Sequence, residues 1–225
     1  MGQPNIAISP PIDAASLILM RENRGAWPEY LIVQRGADLV FAAGAYVFPG
    51  GRVDPPDRDE AGARLPQLDP IDAAARIAAL RETMEETGIV VAQDPTALIP
   101  FARWLPMHET VKRRFDTRFY IARLEDRNEP VADGIETSRA FWATAAEVLQ
   151  RCDRGDGRVI YPTRRLLERL ARFASFDEAR ADAERLPDRI ISPWIEQRDG
   201  GDWLCIPNDA GYPVTAEPIA SAFRY

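Results

Sequence analysis

From Arg81 to Ile89 the chain reads Arg81-Glu82-Thr83-Met84-Glu85-Glu86-Thr87-Gly88-Ile89, and no other stretch restricts the fold as tightly. Glu82, Glu85 and Glu86 stand at i, i+3 and i+4, so on a helix they project from one face within about 6 Å of one another. At about 100° per residue, Ile77, Leu80 and Met84 collect on one side of the wheel, and the three glutamates gather almost opposite. This pattern predicts an apolar stripe against a core and an acidic face turned elsewhere. Gly88 follows the last turn, where a residue free to turn left-handed ends the helix. Taken alone, an acidic helix face is ordinarily only a solvated one. Three like charges at this spacing repel, however, and a hard divalent cation, Mg2+ or Mn2+, is what such an oxygen cluster would bind.

The residues around the helix narrow the reading. Phe48-Pro49-Gly50-Gly51 lies upstream and Gly88-Ile89 closes the far end. Together they resemble the signature of the Nudix hydrolases: a glycine, a spaced glutamate, then Arg-Glu-aliphatic-any-Glu-Glu-any-Gly-aliphatic. Arg81, Glu82, Glu85, Glu86, Gly88 and Ile89 match it position by position. Two features depart. Thr83 replaces the aliphatic residue, and Gly51 stands 30 positions before Arg81 where the family has 14. The extra 16 residues fall within 52–69, and Ala73, not a glutamate, stands eight before Arg81. The resemblance implies a Nudix α/β/α sandwich with a mixed sheet, a metal held by Glu82, Glu85 and Glu86, and Arg81 bracing those glutamates.

Taken in order, 1–12 is a proline-containing arm, and Ala14 to Met20 and Tyr30 to Arg35 read as a hairpin around the Arg21-to-Gly25 turn. Ala45 to Phe48 is a third short strand. Gly50 and Gly51 suit either a plain tight turn or a backbone that comes close to a phosphate. Pro55 to Pro70 is polar and proline-rich and reads as an exposed loop, of which Pro55 to Gln67 should be removable without unfolding the chain. Asp69-Pro70 makes an N-cap and N1 pair for the acidic helix. Ile89 to Val91, Ala97 to Trp104, Phe115 to Ala122 and Arg139 to Trp142 are strand candidates, the last entering a helix near Ala143 to Arg151. Beyond Pro162, Leu166, Leu167, Leu170 and Phe173 fall at helical spacing, Ser175 and Glu178 look like a capping box, and short strands follow. The expectation is a single domain over 1–225, with a core at about 13–152 and a C-terminal helical and short-strand extension at about 160–225.

Composition removes several classes. A net charge of −7 argues against a nucleic-acid or anionic-membrane binder. Cys152 and Cys205 give neither a disulfide framework nor metal-ligand spacing. No apolar run is long enough to span a bilayer, no leader pattern opens the chain, and its end is not of the Ser-Lys-Leu type, so the setting expected is cytoplasmic. The expected partner is a small nucleotide-derived molecule; a homodimer is allowed but not required.

Outside the signature the resemblance becomes narrower. Gln34-Arg35, Phe41, Gly44, Tyr46 to Gly51 and Asp54 are similar to the segment ahead of the box in coenzyme A diphosphatases. The insertion, Arg114 to Phe119 and the Arg172-Phe173-Ala174-Ser175-Phe176 run are similar to the branch of that group with an interrupted box. The resemblance implies cleavage of the pyrophosphate of coenzyme A or its acyl forms to 3′,5′-ADP and a 4′-phosphopantetheine product. NADH, ADP-ribose and dinucleoside polyphosphates are the rival substrates, and a Nudix-fold binding protein without turnover is the rival of another class. Intact Glu82, Glu85 and Glu86 argue against that last reading. The family's base, often a glutamate on a later loop, points to Glu136, with Glu109 second. Arg35, Arg113, Arg114 and Arg118 are the candidate phosphate contacts, with Gly50 and Gly51. His108, the sole histidine, reads as a loop residue, and Trp104, Phe115 and Tyr120 as core.

Overall fold

β1 (Ile12–Arg21) carries seven consecutive buried residues, Ala14 to Met20, so it can only lie inside a sheet covered on both faces. The computed structural model describes residues 10–23, 25–38, 42–91, 94–106, 114–186 and 189–222. The further elements, in order, are β2 (Glu29–Arg35), β3 (Tyr46–Val47), β4 (Gly50–Arg52), α1 (Pro55–Arg64), α2 (Pro70–Thr87), β5 (Ile99–Trp104), β6 (Phe115–Arg123) and β7 (Thr137–Thr144). Then come α3 (Ala145–Asp153), α4 (Tyr161–Leu170), α5 (Phe176–Arg185), β8 (Ile190–Ile191), β9 (Trp194–Arg198), β10 (Gly201–Cys205), β11 (Ala216–Pro218) and α6 (Ile219–Ala222). Among the described residues β1 to β8 form one mixed sheet in the order β3-β2-β1-β6-β5-β8, with β4 on β1 and β7 on β2. β1 runs antiparallel to β2 and β4 but parallel to β6, in register from Ile12–Phe115 to Met20–Arg123.

Alternation along β1 divides the core. Leu17 and Leu19 pack with Leu31, Tyr120 and the alanines of α2, while Ile18 and Met20 pack with Tyr30, Ile121, Val148 and Leu166. Helices α1 and α2 therefore cover one face, and α3 to α5 the other. This is an α/β/α sandwich. The C-terminal segment joins the second face directly: Tyr30 donates to the Leu170 carbonyl at 3.3 Å, and the Trp104 indole donates to the Tyr212 hydroxyl at 2.9 Å. β9, β10 and β11 form a separate small sheet. No helix among the described residues is long and apolar enough to cross a membrane.

α2 begins and ends where its capping residues dictate. Asp69 accepts from the Ile71 and Asp72 N–H groups, Pro70 opens the first turn, and Gly88 closes the last at φ +67°. Its buried face differs from the expected one. Ala73 to Ala75, Ala78, Ala79 and Thr83 lie against the sheet, Ile77 is buried beside α1, and Met84 is 46 % exposed. Small side chains let the helix sit close to the strands, and the Thr83 hydroxyl is satisfied by the Ala79 carbonyl at 2.7 Å. Three other expectations change. Gly50 and Gly51 belong to a strand, Ile89 to Val91 has no regular structure, and 55–64 is a helix. α1 buries Asp57, Ala61 and the following Leu65, so this segment is packed rather than an exposed loop.

Candidate active site

The site forms where β4 passes under the C-terminal half of α2. Ser16 pairs with Gly50 and Ala15 with Gly51; close approach of backbone requires glycine at 50, whereas a side chain at 51 would displace the Glu82 carboxylate. A Cβ on Gly50 would collide with the Ala15 carbonyl, and one on Gly51 with the Glu82 carboxylate. The Gly50 N–H instead donates to Glu86 Oε2 at 3.0 Å. The Ser16 hydroxyl holds the strand from beneath by donating to the Pro49 carbonyl at 2.8 Å.

Arg81 organises the carboxylates. Its Nε and Nη2 donate to the two oxygens of Asp57 at 2.8 and 2.9 Å, and Nη1 donates to Glu82 at 3.0 Å and Glu85 at 2.8 Å. Nη2 also reaches the Arg52 carbonyl at 3.1 Å, leaving no donor nitrogen of the fork idle. The hydrogen bonds it donates to Asp57, foremost, push the guanidinium further toward its charged form. Asp57 is only 2 % exposed and does two jobs, since its Oδ2 also accepts from the Asp54 N–H at 2.8 Å to cap α1. Counting eight back from Arg81 finds Ala73, buried against the sheet. Counting forward from Gly51 by the family's six positions lands on Asp57. An acid therefore does stand ahead of Arg81 at that spacing from Gly51, the aspartate Asp57 on α1. The forward count is the signal that finds it.

Glu86 is the most confined of the three signature glutamates, at 3 % exposure. Burial, above all, pushes its carboxyl up to about 8, with the charges of Glu82 and Glu136 adding and the Gly50 N–H and Arg35 opposing. Burial raises Glu82 as well, against the pull of Arg81. Glu85 is exposed. Among the described residues no three potential ligands converge on a cation position as they stand. Glu82 and Glu85 are drawn to Arg81, and Glu86 to Gly50. The donor set nevertheless suits a hard divalent ion. It consists of carboxylate oxygens, one of them so deeply buried that it retains its proton to about 8.

Two further predicted residues reach this place from other elements. Arg35 ends β2 opposite Thr137, after a register shift, and the Gly36 N–H donates to the Glu136 carbonyl at 2.8 Å. The charges of Arg35 and Glu136 both act on Glu86. Arg114 is buried just before β6, its carbonyl accepting from the Ile12 N–H. Four register positions, about 13 Å, separate the Ile12 level of β1 from Ser16, which faces Gly50. Arg118 lies between, its Nη1 3.7 Å from Asp13. Arg113, Glu109, His108 and Phe41 lie outside the described residues.

An α/β/α sandwich that sets an Arg-Glu-x-x-Glu-Glu helix against a Gly-Gly strand defines a hydrolase of the Nudix class. A model described as NUDIX domain matches residues 10–163, and the chain belongs to that family. No curated protein matches the chain. Among solved structures it is similar to a NUDIX hydrolase from Alicyclobacillus acidocaldarius, with 25% identity, TM-score 0.67, and coverage of 78% of this chain and 97% of the other. It also resembles the NUDIX domain of Shewanella oneidensis NrtR complexed with ADP ribose (19% identity, TM-score 0.51, 76% and 92% covered). The MutT protein of Methanosarcina mazei Go1 is comparable, with 19% identity, TM-score 0.50, and coverage of 72% and 94%. These last two bear on the fold alone. Nudix hydrolases use divalent metal ions and act on small nucleotide-derived substrates.

Proposed function

We propose that this chain hydrolyses the pyrophosphate of coenzyme A or an acyl-coenzyme A, releasing 3′,5′-ADP and (acyl-)4′-phosphopantetheine. The observation that carries the hydrolytic part is the carboxylate cluster at the end of α2, where burial raises Glu82 and Glu86 and the charge of the exposed Glu136 acts on both. The coenzyme A part rests on the similarity of Gln34 to Asp54, the interrupted signature and the Arg172 to Phe176 run to coenzyme A diphosphatases. Glu82, Glu85 and Glu86 would hold Mg2+ or Mn2+. When bound, that ion supplies charge neutralisation for the diphosphate and makes water more acidic.

The remaining steps belong to the chain's own residues. Arg81, fixed by Asp57, keeps Glu82 and Glu85 side by side. The Gly50 N–H orients Glu86. Glu136 takes the proton from the attacking water as its oxygen bonds to phosphorus. The bridging P–O bond breaks, and the departing phosphate leaves with the electron pair. Arg35 neutralises a phosphate of the substrate, with Arg113 and Arg114 as the other candidates for the 3′-phosphate. The chain is taken as one domain, with a core at about 13–152 and the extension packed on it, in a cytoplasmic setting. ADP-ribose is the second reading, favoured by the ligand of the Shewanella oneidensis domain.

A release assay with Mg2+ and with Mn2+, comparing coenzyme A, its 3′-dephospho form, ADP-ribose, NADH and a dinucleoside polyphosphate, tests this. Coenzyme A should be turned over fastest. Removing the contact to its 3′-phosphate, by Arg→Ala at the correct position, should cost roughly ten- to a hundredfold in kcat/KM on coenzyme A alone. Equal rates on coenzyme A and the dephospho form, or preference for ADP-ribose, would reject the substrate and leave the class standing.

A further inference from the structure

We propose that Asp133 is the positioning residue for Glu136, its carboxylate setting the conformation of the loop that brings this base to the signature helix. The proposal rests on the reading of Glu136 as the base.

The loop before β7 reads Asp133-Gly134-Ile135-Glu136-Thr137. Asp133 Oδ1 accepts from the Ile135 N–H at 2.9 Å and the Thr137 N–H at 2.8 Å, and Oδ2 accepts from the Glu136 N–H at 3.4 Å. One carboxylate thus gathers three successive backbone donors around itself. Gly134 turns the chain at φ +75° and donates its own N–H to the Thr137 carbonyl at 3.0 Å. A Cβ on Gly134 would meet nothing within 4 Å, so glycine serves here for its backbone conformation rather than for space.

Both ends of this loop are tied to the site. The Val131 N–H donates at 2.8 Å to the Thr87 carbonyl, one of the carbonyls that the last turn of α2 leaves without a helical partner. The Glu136 carbonyl accepts from the Gly36 N–H, directly after Arg35. Between these ties, apolar packing contributes little: Val131 is 73 % exposed and Ile135 84 %. Loops that bury so little open readily unless polar contacts close them. Thr137, next in the chain, is buried and pairs with Arg35, and within 131–136 the described contacts that hold Glu136 toward Glu82 and Glu86 are these backbone ties and the Asp133 carboxylate. Asp133 itself is exposed, so replacing it removes no core contact.

Kinetics of Asp133→Ala, Asp133→Asn, Glu136→Gln and the double variant Asp133→Ala/Glu136→Gln test the idea, on coenzyme A or on ADP-ribose if that is hydrolysed faster. Misplacing a catalytic group by about 1 Å costs on the order of a hundredfold, so Asp133→Ala should lose about ten- to a hundredfold in kcat with KM little changed. Asn keeps an oxygen for Ile135 and Thr137 and should recover part of the loss. The double variant should be no slower than Glu136→Gln alone, because a misplaced group that is already inert costs nothing more. Binding of Mn2+ alone, measured by calorimetry, should be unchanged in Asp133→Ala. A wild-type kcat in Asp133→Ala, or an equal factor lost in the Glu136→Gln background, overturns the positioning role. A wild-type rate in Glu136→Gln instead removes the base assignment on which the proposal stands.

Discussion

The two halves of α2 treat charge in opposite ways. In the first half Asp72 receives the Arg76 Nε–H at 2.6 Å and the Tyr120 hydroxyl at 2.7 Å, and Arg76 Nη1 donates to the Pro95 and Leu98 carbonyls. Each group there has its counterpart. In the second half Arg81 must serve Asp57, Glu82 and Glu85 at once, while Glu86 accepts from the Gly50 N–H and feels the charge of Arg35 against those of Glu82 and Glu136. A balanced network fixes a helix to its sheet. An unbalanced one stores a demand for positive charge, which a divalent cation and its phosphate substrate are suited to meet.

The comparison breaks most visibly at Glu86. Glu86→Gln should lower kcat/KM by about a thousandfold or more, since losing a metal ligand removes several kcal/mol of charge stabilisation. Its melting temperature without metal should rise, because a buried carboxylate short of cations is replaced by a neutral amide. Most activity surviving at saturating Mg2+ would show that the unbalanced half is not the metal site.

Asp57→Ala should come next. It strips Arg81 of its bidentate partner and α1 of its cap, costing about 1.5–3 kcal/mol. For a chain of this size that is a fall of roughly 3–12 °C in melting temperature, with activity down about tenfold through the loosened Glu82 and Glu85. Calorimetry and steady-state rates on one preparation would check both. An unaltered melting curve would mean that α1 is a surface excursion after all.

A smaller effect should appear with pH. The folded carboxyl of Glu86 holds its proton up to about 8, well above its ordinary value. Its contribution to stability is therefore present at acid pH and is lost as pH rises through about 8. The metal-free melting temperature should slope downward over that window in the wild type and less in Glu86→Gln, while Mn2+ affinity climbs as the competing proton leaves. Parallel slopes in the two proteins would remove Glu86 as the source.

Asp72→Asn should perturb activity least. It weakens the ties to Arg76 and Tyr120 for about 1–2 kcal/mol of stability, yet hydrolysis should stay within about twofold. A large loss of turnover with the fold intact would show that the two halves of the helix are coupled in function.

Whatever depends on neighbours along the chain is legible in the sequence. Local rules locate the caps of α2 at Asp69 and Gly88, the β1–β2 hairpin, and the helix that presents Glu82, Glu85 and Glu86. Face assignment is not local. Wheel arithmetic sets Met84 inward by hydrophobicity, whereas slim Ala79 and Thr83 lie against the sheet, Glu86 is buried by its tie to Gly50, and Met84 is 46 % exposed. The segment 55–64 misleads for a related reason. Its polar composition hides Asp57, whose burial is made tolerable by Arg81, 24 positions away. Likewise the sequence names Glu136 and Arg35 as candidates, but only the pairing of β2 with β7 brings their charges to bear on Glu86. Periodicity, caps and a spaced signature are written along the chain. Which buried carboxylate has a cation beside it depends on contacts between distant segments, and only the folded protein decides that.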